Sequence, residues 1–413
     1  MAKNYVSIYE GGNDAIALEQ KIFLKEEAPG ARGVIVLPTG ADFIYHTGGS
    51  VNFSQPTESS PHKSGRHNTG VIKQKTTTEW TFTTFFNIDT LLGAASTAEI
   101  DPAARLLHKS MFGKEDVTSG APVYTAGDPP SSTFSIFEIG DVWSKQAPGA
   151  FVDTANMTFP GDGDSTVEWG GMAKTSLLVG MGKSVADNNA SNIITIATGE
   201  GQRFPVGSKV MIIKDDNTKS ADTAAGTART VTSVIGDAVT VDGAVLADAD
   251  GSAADIYLVY FEPENAAAIN DPQTGLQGSV SIVGYSTITN CVRSLSINCT
   301  NNHEPQDFCY GTAGLGGALF VPGGRLAVDV SMELNLNQSL VAFLNNVRDF
   351  GGEDISLIHG DSASRHLQID IPKIIFAVPE ISVPDTGTIP VTFDGQGNQT
   401  ALDAADEITL SYL

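Results

Sequence analysis

Three cysteines and one histidine lie near one another in the sequence and belong to the residue types that most often bind zinc: Cys291, Cys299, His303 and Cys309. Their spacings match no familiar zinc site, which usually contains close pairs such as C-x-x-C. An odd number of cysteines without that spacing is typical of a protein from a reducing cytoplasm. We therefore interpret the cysteines as core or loop residues and predict no metal site.

Two further stretches contain partial motifs for phosphate or calcium binding. Gly182-Lys183-Ser184 matches the end of a phosphate-binding loop, but Leu177 stands where that loop requires its first glycine. The glycine-rich run Gly311–Gly317 lacks a following lysine and is interpreted as a loop tip. Three aspartates resemble part of a calcium loop that lacks its closing glutamate: Asp248, Asp250 and Asp255.

The seven histidines are scattered along the chain, and residue order supports no Ser–His–Asp grouping and no carboxylate pair. We therefore predict that the protein is not an enzyme and has no catalytic residues and no cofactor. A count of 48 acidic against 24 basic residues gives a net charge of −24. Because nucleic-acid affinity comes chiefly from Lys and Arg, this charge argues against stable nucleic-acid binding and suits a soluble surface.

The start of the chain, Met1–Tyr5, leads directly into a segment that we interpret as a strand, so we predict no signal peptide. No apolar run approaches the length that spans a bilayer. The 413 residues suffice for two or three domains with separate cores. The 43 glycines and the many Ser and Thr residues favour strands and turns.

One long stretch, Arg325–Asn346, predicts a strand that leads directly into a helix. From Leu326 onward, apolar residues alternate with polar or acidic ones, which indicates a strand with one buried face. Asn337 is a predicted helix N-cap, and Gly351 ends the helical pattern. The apolar positions of the predicted helix are Leu340, Phe343, Leu344 and Val347.

An earlier stretch, Thr76–Ile88, shows the same alternation. A helix signal follows, with Asp101 as N-cap, Pro102 in the first turn and Gly113 after the end. Four correspondences in the same order along the chain indicate a duplicated domain. They match Tyr5–Glu10 with Tyr257–Glu262, Ser50–Asn52 with Ser296–Asn298, Asn87–Asp89 with Asn335–Asn337, and Thr158–Gly163 with Thr392–Gly397.

These patterns predict a mainly β fold with two tandem domains, each with one α-helix, over residues 1–185 and 257–413. Residues 190–256 contain short strands separated by turns, such as Lys209–Ile213 and Ala238–Val241. The segment Phe204–Val210 suits a small β-barrel. We therefore predict an inserted small β-barrel domain between the two copies.

Two long loops follow the matched Ser-Val/Ile-Asn segments. The second loop, Asn301–Gly324, is nearly uncharged and contains Phe308 and Tyr310. The first, Gln55–Lys75, is either a solvated hairpin tip or an arm that binds an acidic surface of a neighbouring subunit. Nucleic acid is the least favoured partner of this first loop, because the loop has no aromatic residue to stack on bases. Its basic residues and histidines are His62, Lys63, Arg66, His67, Lys73 and Lys75.

The order of parts in each copy resembles that of bacteriophage major tail proteins, the subunits of the tail tube. Each copy has a Ser-Val/Ile-Asn strand, a long loop, a long two-faced strand, a helix and a closing strand pair. The resemblance covers nearly the whole chain outside residues 190–256. The chain is similar to the siphophage-type subset with two tail-tube β-sandwich or barrel domains in one chain and an additional exposed β domain.

The resemblance implies that three chains form a homotrimeric ring with pseudo-sixfold symmetry and that rings stack into a hollow tube. The two loops would contact the next ring, and the inserted domain would lie outside. The polar sides of the long strands would give the lumen an acidic lining to which DNA does not adhere. The implied lumen-facing residues are Glu79, Thr81, Thr83, Asp329, Ser331 and Glu333.

The implied partners are the chain itself, the tape-measure, tail-terminator and baseplate proteins, and genomic DNA in transit without stable binding. The implied location is the tail of the virion, after assembly in the host cytoplasm, with no membrane partner. Other interpretations stay open: an ordinary sandwich with an acidic solvent face, a capsid decoration or baseplate protein, or a carbohydrate-binding β protein. The last would require Trp143 or Trp169 to be exposed as a stacking platform, whereas a tube subunit would bury it.

Overall fold

The computed structural model of the chain is mainly β, with antiparallel sheets and three α-helices in the part that it describes. No helix among the described residues is long and apolar enough to cross a membrane. The described residues are 3–11, 20–59, 70–73, 76–86, 102–117, 122–127, 132–185, 192–219, 228–243, 256–264, 278–285, 292–305, 320–322, 324–349, 351–360 and 366–413.

The first part of the chain contains two helices, α1 (Tyr5–Gly11) and α2 (Pro102–Phe112). Its strands are β1 (Lys21–Glu26), β2 (Phe43–Ile44), β3 (Gly48–Ser54), β4 (Thr57–Ser59), β5 (Val71–Lys73), β6 (Thr77–Phe85), β7 (Gly113–Asp116), β8 (Val123–Ala126), β9 (Phe134–Ile139), β10 (Ser144–Pro160), β11 (Thr166–Ala173) and β12 (Leu177–Val179).

The middle of the chain contributes β13 (Met181–Lys183), β14 (Ile193–Thr195), β15 (Lys209–Lys214), β16 (Arg229–Ile235), β17 (Ala238–Val241) and β18 (Ile256–Tyr260). The last part contains one helix, α3 (Gln338–Arg348). Its strands are β19 (Gly278–Ile282), β20 (Val292–Thr300), β21 (His303–Pro305), β22 (Phe320–Pro322), β23 (Ala327–Asn335), β24 (Glu353–Gly360), β25 (His366–Phe376), β26 (Pro390–Gly397) and β27 (Thr409–Tyr412).

Two sets of strands have the same order of antiparallel pairing. The first set pairs as β1-β9-β10-β11-β6-β3. The second set pairs as β19-β24-β25-β26-β23-β20. In both sets a helix, α2 or α3, follows the long strand, β6 or β23. The two sets therefore have the same topology.

The long strand β10 joins the two sets into one sheet. Its second half pairs with β11 on one side and with β20 on the other. The result is a continuous antiparallel sheet with the order β3-β6-β11-β10-β20-β23-β26, which we call the central sheet.

The central sheet covers a large apolar core. Trp80, Phe82 and Trp169 from the first set and Met332 and Phe393 from the second are all buried in it. The two helices that follow the long strands contribute further side chains, notably Leu107 and Phe343. Removing these large side chains from water is the main favourable term in the stability of both sets.

Several local predictions are confirmed. The predicted strands correspond to β6 and β23, and the Asn337 side chain accepts a hydrogen bond of 2.9 Å from the Leu340 amide at the start of α3. Pro102 is the first residue of α2, and Gly113 follows its end at φ +81°. Asp101 and the segment 87–89 lie outside the described residues.

Two of the four predicted sequence correspondences are wrong. Tyr5–Glu10 lies in helix α1, where the Asn4 side chain accepts from the Ser7 amide, whereas Tyr257 lies in strand β18. Apolar residues occupy both alternating positions after Tyr5, so the pattern did not distinguish a strand from a helix. Thr158 lies in β10 opposite β20, whereas Thr392 lies in β26 opposite β23. In the first set, β11 occupies the place of β26.

The strands of residues 193–241 belong to a six-stranded sheet with the order β13-β18-β15-β16-β17-β14, which we call the small sheet. A bridge between Ser184 and Ile196 also joins its first and last strands. Strand β13 lies before the segment 190–256, and β18 begins at the last residue of that segment and extends beyond it. The small sheet shares a core with the first set, since Phe23 and Phe137 pack with Met211 and Tyr260.

Candidate functional site: a polar sheet face and its two ends

The central sheet has one buried face and one polar face. In β6 the buried Trp80 and Phe82 alternate with residues that face solvent, and β23 shows the same alternation. All six predicted lumen-facing residues lie on the polar face: Glu79, Thr81, Thr83, Asp329, Ser331 and Glu333.

The register of the strands brings these two groups of residues onto one surface. Strands β11, β10 and β20 lie between β6 and β23, and their polar residues continue the face. The two Ser-Val/Ile-Asn segments are also placed alike, because Asn52 lies opposite Glu79 and Asn298 lies opposite Asp329. One row of neighbours across the sheet runs Thr83, Glu168, Asn156, Asn298, Asp329 and Gln396.

The other strands contribute polar residues that were not predicted from the sequence, chiefly Glu168, Asn156 and Asp394. A signal for Glu168 was present, because it stands between the buried Val167 and Trp169 in the alternation of β11. The pairing of β10 with β20, which places Asn156 in the middle of the face, depends on a long-range contact that residue order does not reveal.

The polar face carries mostly negative charge. Glu79, Glu168, Asp329 and Asp394 are exposed there, and Glu333 is half-buried. Ser331 Oγ donates a hydrogen bond of 2.6 Å to Asp394 Oδ1. Among the described ion pairs, the one on this face joins Arg293 Nη1 to Glu333 Oε1 at 2.6 Å. The face therefore has many hydrogen-bonding groups and an excess of carboxylates, the reverse of a nucleic-acid binding surface.

Both predicted loops begin as two-stranded arms at equivalent positions. Strands β4 and β5 pair between β3 and β6, and β21 and β22 pair between β20 and β23. Lys73 is exposed at the end of β5. The remaining predicted contact residues lie outside the described part of the chain: His62, Lys63, Arg66, His67, Phe308 and Tyr310.

The two ends of the central sheet differ. At one end, β3 pairs with β6 and with no other described strand. At the other end, β26 pairs with β25 only through its last residues, and residues 377–389 form no strand. Val378 and Val383 in that segment are 60% and 72% exposed. The β26 end therefore presents apolar side chains that another chain could cover, and at the β3 end no described strand pairs with the outer edge.

The partial motifs do not come together as sites in the described structure. Gly182-Lys183-Ser184 forms an extended strand in which Lys183 Nζ lies 3.0 Å from Glu10 Oε1, unlike a phosphate-binding loop at a helix start. Burial, with Asp329 nearby, raises the pKa of the Cys299 thiol, which keeps it protonated. The described residues contain no group of three or more His, Cys, Asp and Glu side chains placed to hold a metal ion.

The remaining motif residues fall outside the described part: Cys291, Cys309, Asp248, Asp250, Asp255 and Gly311–Gly317. Trp169 is 2% exposed and donates to Thr84 Oγ1, so it offers no platform for a sugar. Trp143 is half-buried, with Lys145 Nζ 5.0 Å from its ring centre.

Comparison of the sequence with protein-family models and with curated proteins gives no match. The fold itself defines a mainly β protein of antiparallel sheets.

Proposed function

We propose that the chain is a structural subunit of a bacteriophage tail tube of the siphophage type, with two tandem tube domains. The observation that carries this proposal is the pair of strand sets with the same topology, joined from β10 to β20. This junction is head-to-tail, since it uses different surfaces of the two sets. A head-to-tail contact that is repeated between chains forms a ring when its rotation closes. Three chains, with six sets, form that ring.

The polar face of the central sheet lines the lumen of the tube. Exposed carboxylates such as Glu168 and Asp329 repel DNA phosphates at short range, within about 8 Å at physiological salt. DNA therefore passes without stable binding. The small sheet lies on the outer surface as an inserted β-barrel domain.

The two arms contact the next ring. In support, each arm leaves its set at the same place, between the Ser-Val/Ile-Asn strand and the long strand. Stacked rings form the tail of the virion after assembly in the host cytoplasm, together with tape-measure, tail-terminator and baseplate proteins. The chain acts without catalysis and without a cofactor.

Charge reversal in the first predicted loop, Gln55–Lys75, tests the stacking role. The double variant Lys63→Glu/Arg66→Glu should stay folded and form single rings but should stack into tubes poorly. Lys219→Glu, which reverses one charge beside the small sheet, is the control and should stack normally. Normal tube lengths in the double variant, measured by negative-stain electron microscopy, would show that this loop does not join rings.

Analytical ultracentrifugation of the purified protein over a concentration series tests the proposal as a whole. We expect a monomer in equilibrium with trimers and larger stacks, which electron microscopy should show as hollow. A species that stays monomeric at every concentration and after addition of preformed tail tips would count against a tube subunit.

A further inference from the structure

Side chains, not a strand, occupy the outer edge of β3. The Val51 amide donates a hydrogen bond of 2.7 Å to Glu138 Oε2, and Lys145 Nζ donates one of 2.7 Å to the Val51 carbonyl oxygen. Gln20 Nε2 donates to the carbonyl oxygen of Gly49 at 3.0 Å. These groups are the ones that a further strand would bond.

The three side chains form one cluster, which we call the edge cluster: Gln20, Glu138 and Lys145. Lys145 Nζ lies 3.2 Å from Glu138 Oε2, and Gln20 Nε2 donates to Glu138 Oε1 at 2.7 Å. The Glu138 side chain is only 2% exposed. Burying an ion pair costs desolvation energy and is weak evidence of a stabilising role, so its presence at a strand edge needs another reason.

The second set of strands shows what normally occupies this position. Its Ile297 matches Val51, and Ile297 lies opposite Met157 of β10. Hydrogen bonds from Gly161 N to Arg293 O and from Asn301 N to Asp153 O flank this pair at regular spacing. Since hydrogen-bonded residues alternate along an antiparallel pair, the Ile297 backbone groups face β10. A strand therefore stands where the first set has the edge cluster.

The charged pair is also specific to the first set. In β9 and β10, Glu138 lies opposite Lys145. In the equivalent strands β24 and β25, the neighbouring pairs on the core side are His359 with Leu367 and Leu357 with Ile369. Thus the second set, in which β10 pairs with the outer edge of β20, has no ion pair at these positions.

We propose that the edge cluster is a placeholder for a strand, and that residues 377–384 of a second copy of this chain replace it when the ring closes. This inference rests on the proposed function. Strands β10 and β25 occupy the same position in the two sets. Residues 377–384 follow β25 directly, so they are equivalent to the second half of β10, which pairs with β20. The segment has exposed apolar side chains, Val378, Ile381 and Val383. In the first set the equivalent segment is paired on both sides.

The internal junction also predicts the register of the new pair. Across the strands that lead to the junction between β10 and β20, successive neighbours are Ser50, Thr81, Gly170, Thr154 and Thr300. The equivalent neighbours in the second set are Ser296, Ser331 and Asp394, followed by Ala377, whose amide donates to the Asp394 carbonyl oxygen at 2.8 Å. Continuing the series places Ala377 opposite Ser54 of the second copy, as Thr154 lies opposite Thr300.

Disulfide trapping tests the register. Ser54→Cys/Ala377→Cys, in the full chain with Cys291, Cys299 and Cys309 replaced by Ser or Ala, should form covalent trimers on oxidation. Directly opposite residues of an antiparallel pair are about 4.5–5.5 Å apart, within disulfide range. The control Ser54→Cys/Val383→Cys should give almost none, because six residues separate the two positions. Hollow rings that show no trapped trimer would overturn this inference and leave the proposed function intact, whereas loss of all rings would overturn the proposed function.

Removal of the charges tests the placeholder. We add Glu138→Gln/Lys145→Met to the Ser54→Cys/Ala377→Cys variant. Ring closure then no longer has to break charged hydrogen bonds, so the protein concentration for half-maximal disulfide trapping should fall about tenfold. An unchanged or higher concentration for a variant with native circular dichroism would overturn the placeholder role. Gln20→Ala, which loses only one side chain of the edge cluster, should shift trapping in the same direction by a smaller factor. The opposite shift would contradict the proposal even if the double variant fails to fold.

Discussion

At the scale of single residues, two buried histidines make the stability of the fold depend on pH. His359 stacks edge-on against Phe86 and Phe159, and burial lowers its pKa to about 4. His108 lies under Tyr412, and burial lowers its pKa also to about 4, against a smaller opposing effect of its hydrogen bond to the Ala104 carbonyl. Both rings are therefore neutral in the folded chain at neutral pH.

The low pKa of His359 predicts a loss of stability in acid. Unfolded histidine has a pKa near 6.5, so between pH 6.5 and 4 the unfolded state binds a proton that the folded state does not. The contribution of the neutral His359 to the free energy of unfolding is fully present above pH 6.5. This contribution decreases as the pH drops from 6.5 towards 4. His359→Phe should therefore reduce the loss between pH 8 and pH 5 by about 2 kcal/mol in urea unfolding. An unchanged pH dependence would contradict the assigned burial.

The acidic lining predicts the effect of charge reversal on DNA. Because Glu168 and Asp329 are exposed, Glu168→Lys/Asp329→Lys should leave folding unchanged. Assemblies of this variant should retain single-stranded DNA at low salt and release it as salt rises. The matched control, Asp215→Lys/Glu264→Lys, changes the same charge at exposed positions in or beside the small sheet and should bind less. Equal retention by both variants in filter binding would show that the polar face does not line the path of DNA.

At the scale of elements, the start of α3 depends on one side chain. Asn337 Oδ1 accepts a hydrogen bond of 2.9 Å from the Leu340 amide, which also donates to the Asn337 backbone carbonyl oxygen at 3.2 Å. The side chain therefore provides the shorter of the two bonds for an amide in the first turn of the helix. Asn337→Ala should destabilise the chain by about 1 kcal/mol, a typical loss for an N-cap. Asn345→Ala, at an exposed position inside the same helix, should cost less than half of that in the same denaturant titration. Equal losses would mean that the cap does not stabilise α3.

Elements with a strong period were predictable from sequence, and elements fixed by distant contacts were not. The alternation in β6 and β23 and the cap at Asn337 predicted two strands and a helix, because local burial patterns determine them. Helix α1 was predicted as a strand because its apolar pattern fits either element, and its contacts are distant in sequence: Tyr5 Oη donates to Glu262 Oε2 at 3.0 Å. The junction of β10 with β20, and with it the middle of the polar face, required the folded structure.

At the scale of the whole molecule, the small sheet and the first set are one packing unit. Phe137 of β9 is fully buried in the core that the two share. Phe137→Ala should therefore cost about 3–5 kcal/mol and destabilise strands on both sides of that core. Hydrogen exchange should rise in β15 and β18 together with β1 and β9. Exchange that rises in the first set alone would show that the small sheet folds independently.

The central claim is that the polar face of the central sheet becomes the inner wall of a ring. Cryo-electron microscopy of the concentrated, untreated protein tests it directly. We expect hollow rings or tubes with three chains per ring, with Glu168, Asn298 and Asp329 facing the lumen and the small sheet outside. Rings whose polar face points outward, or closed particles without a lumen, would contradict it.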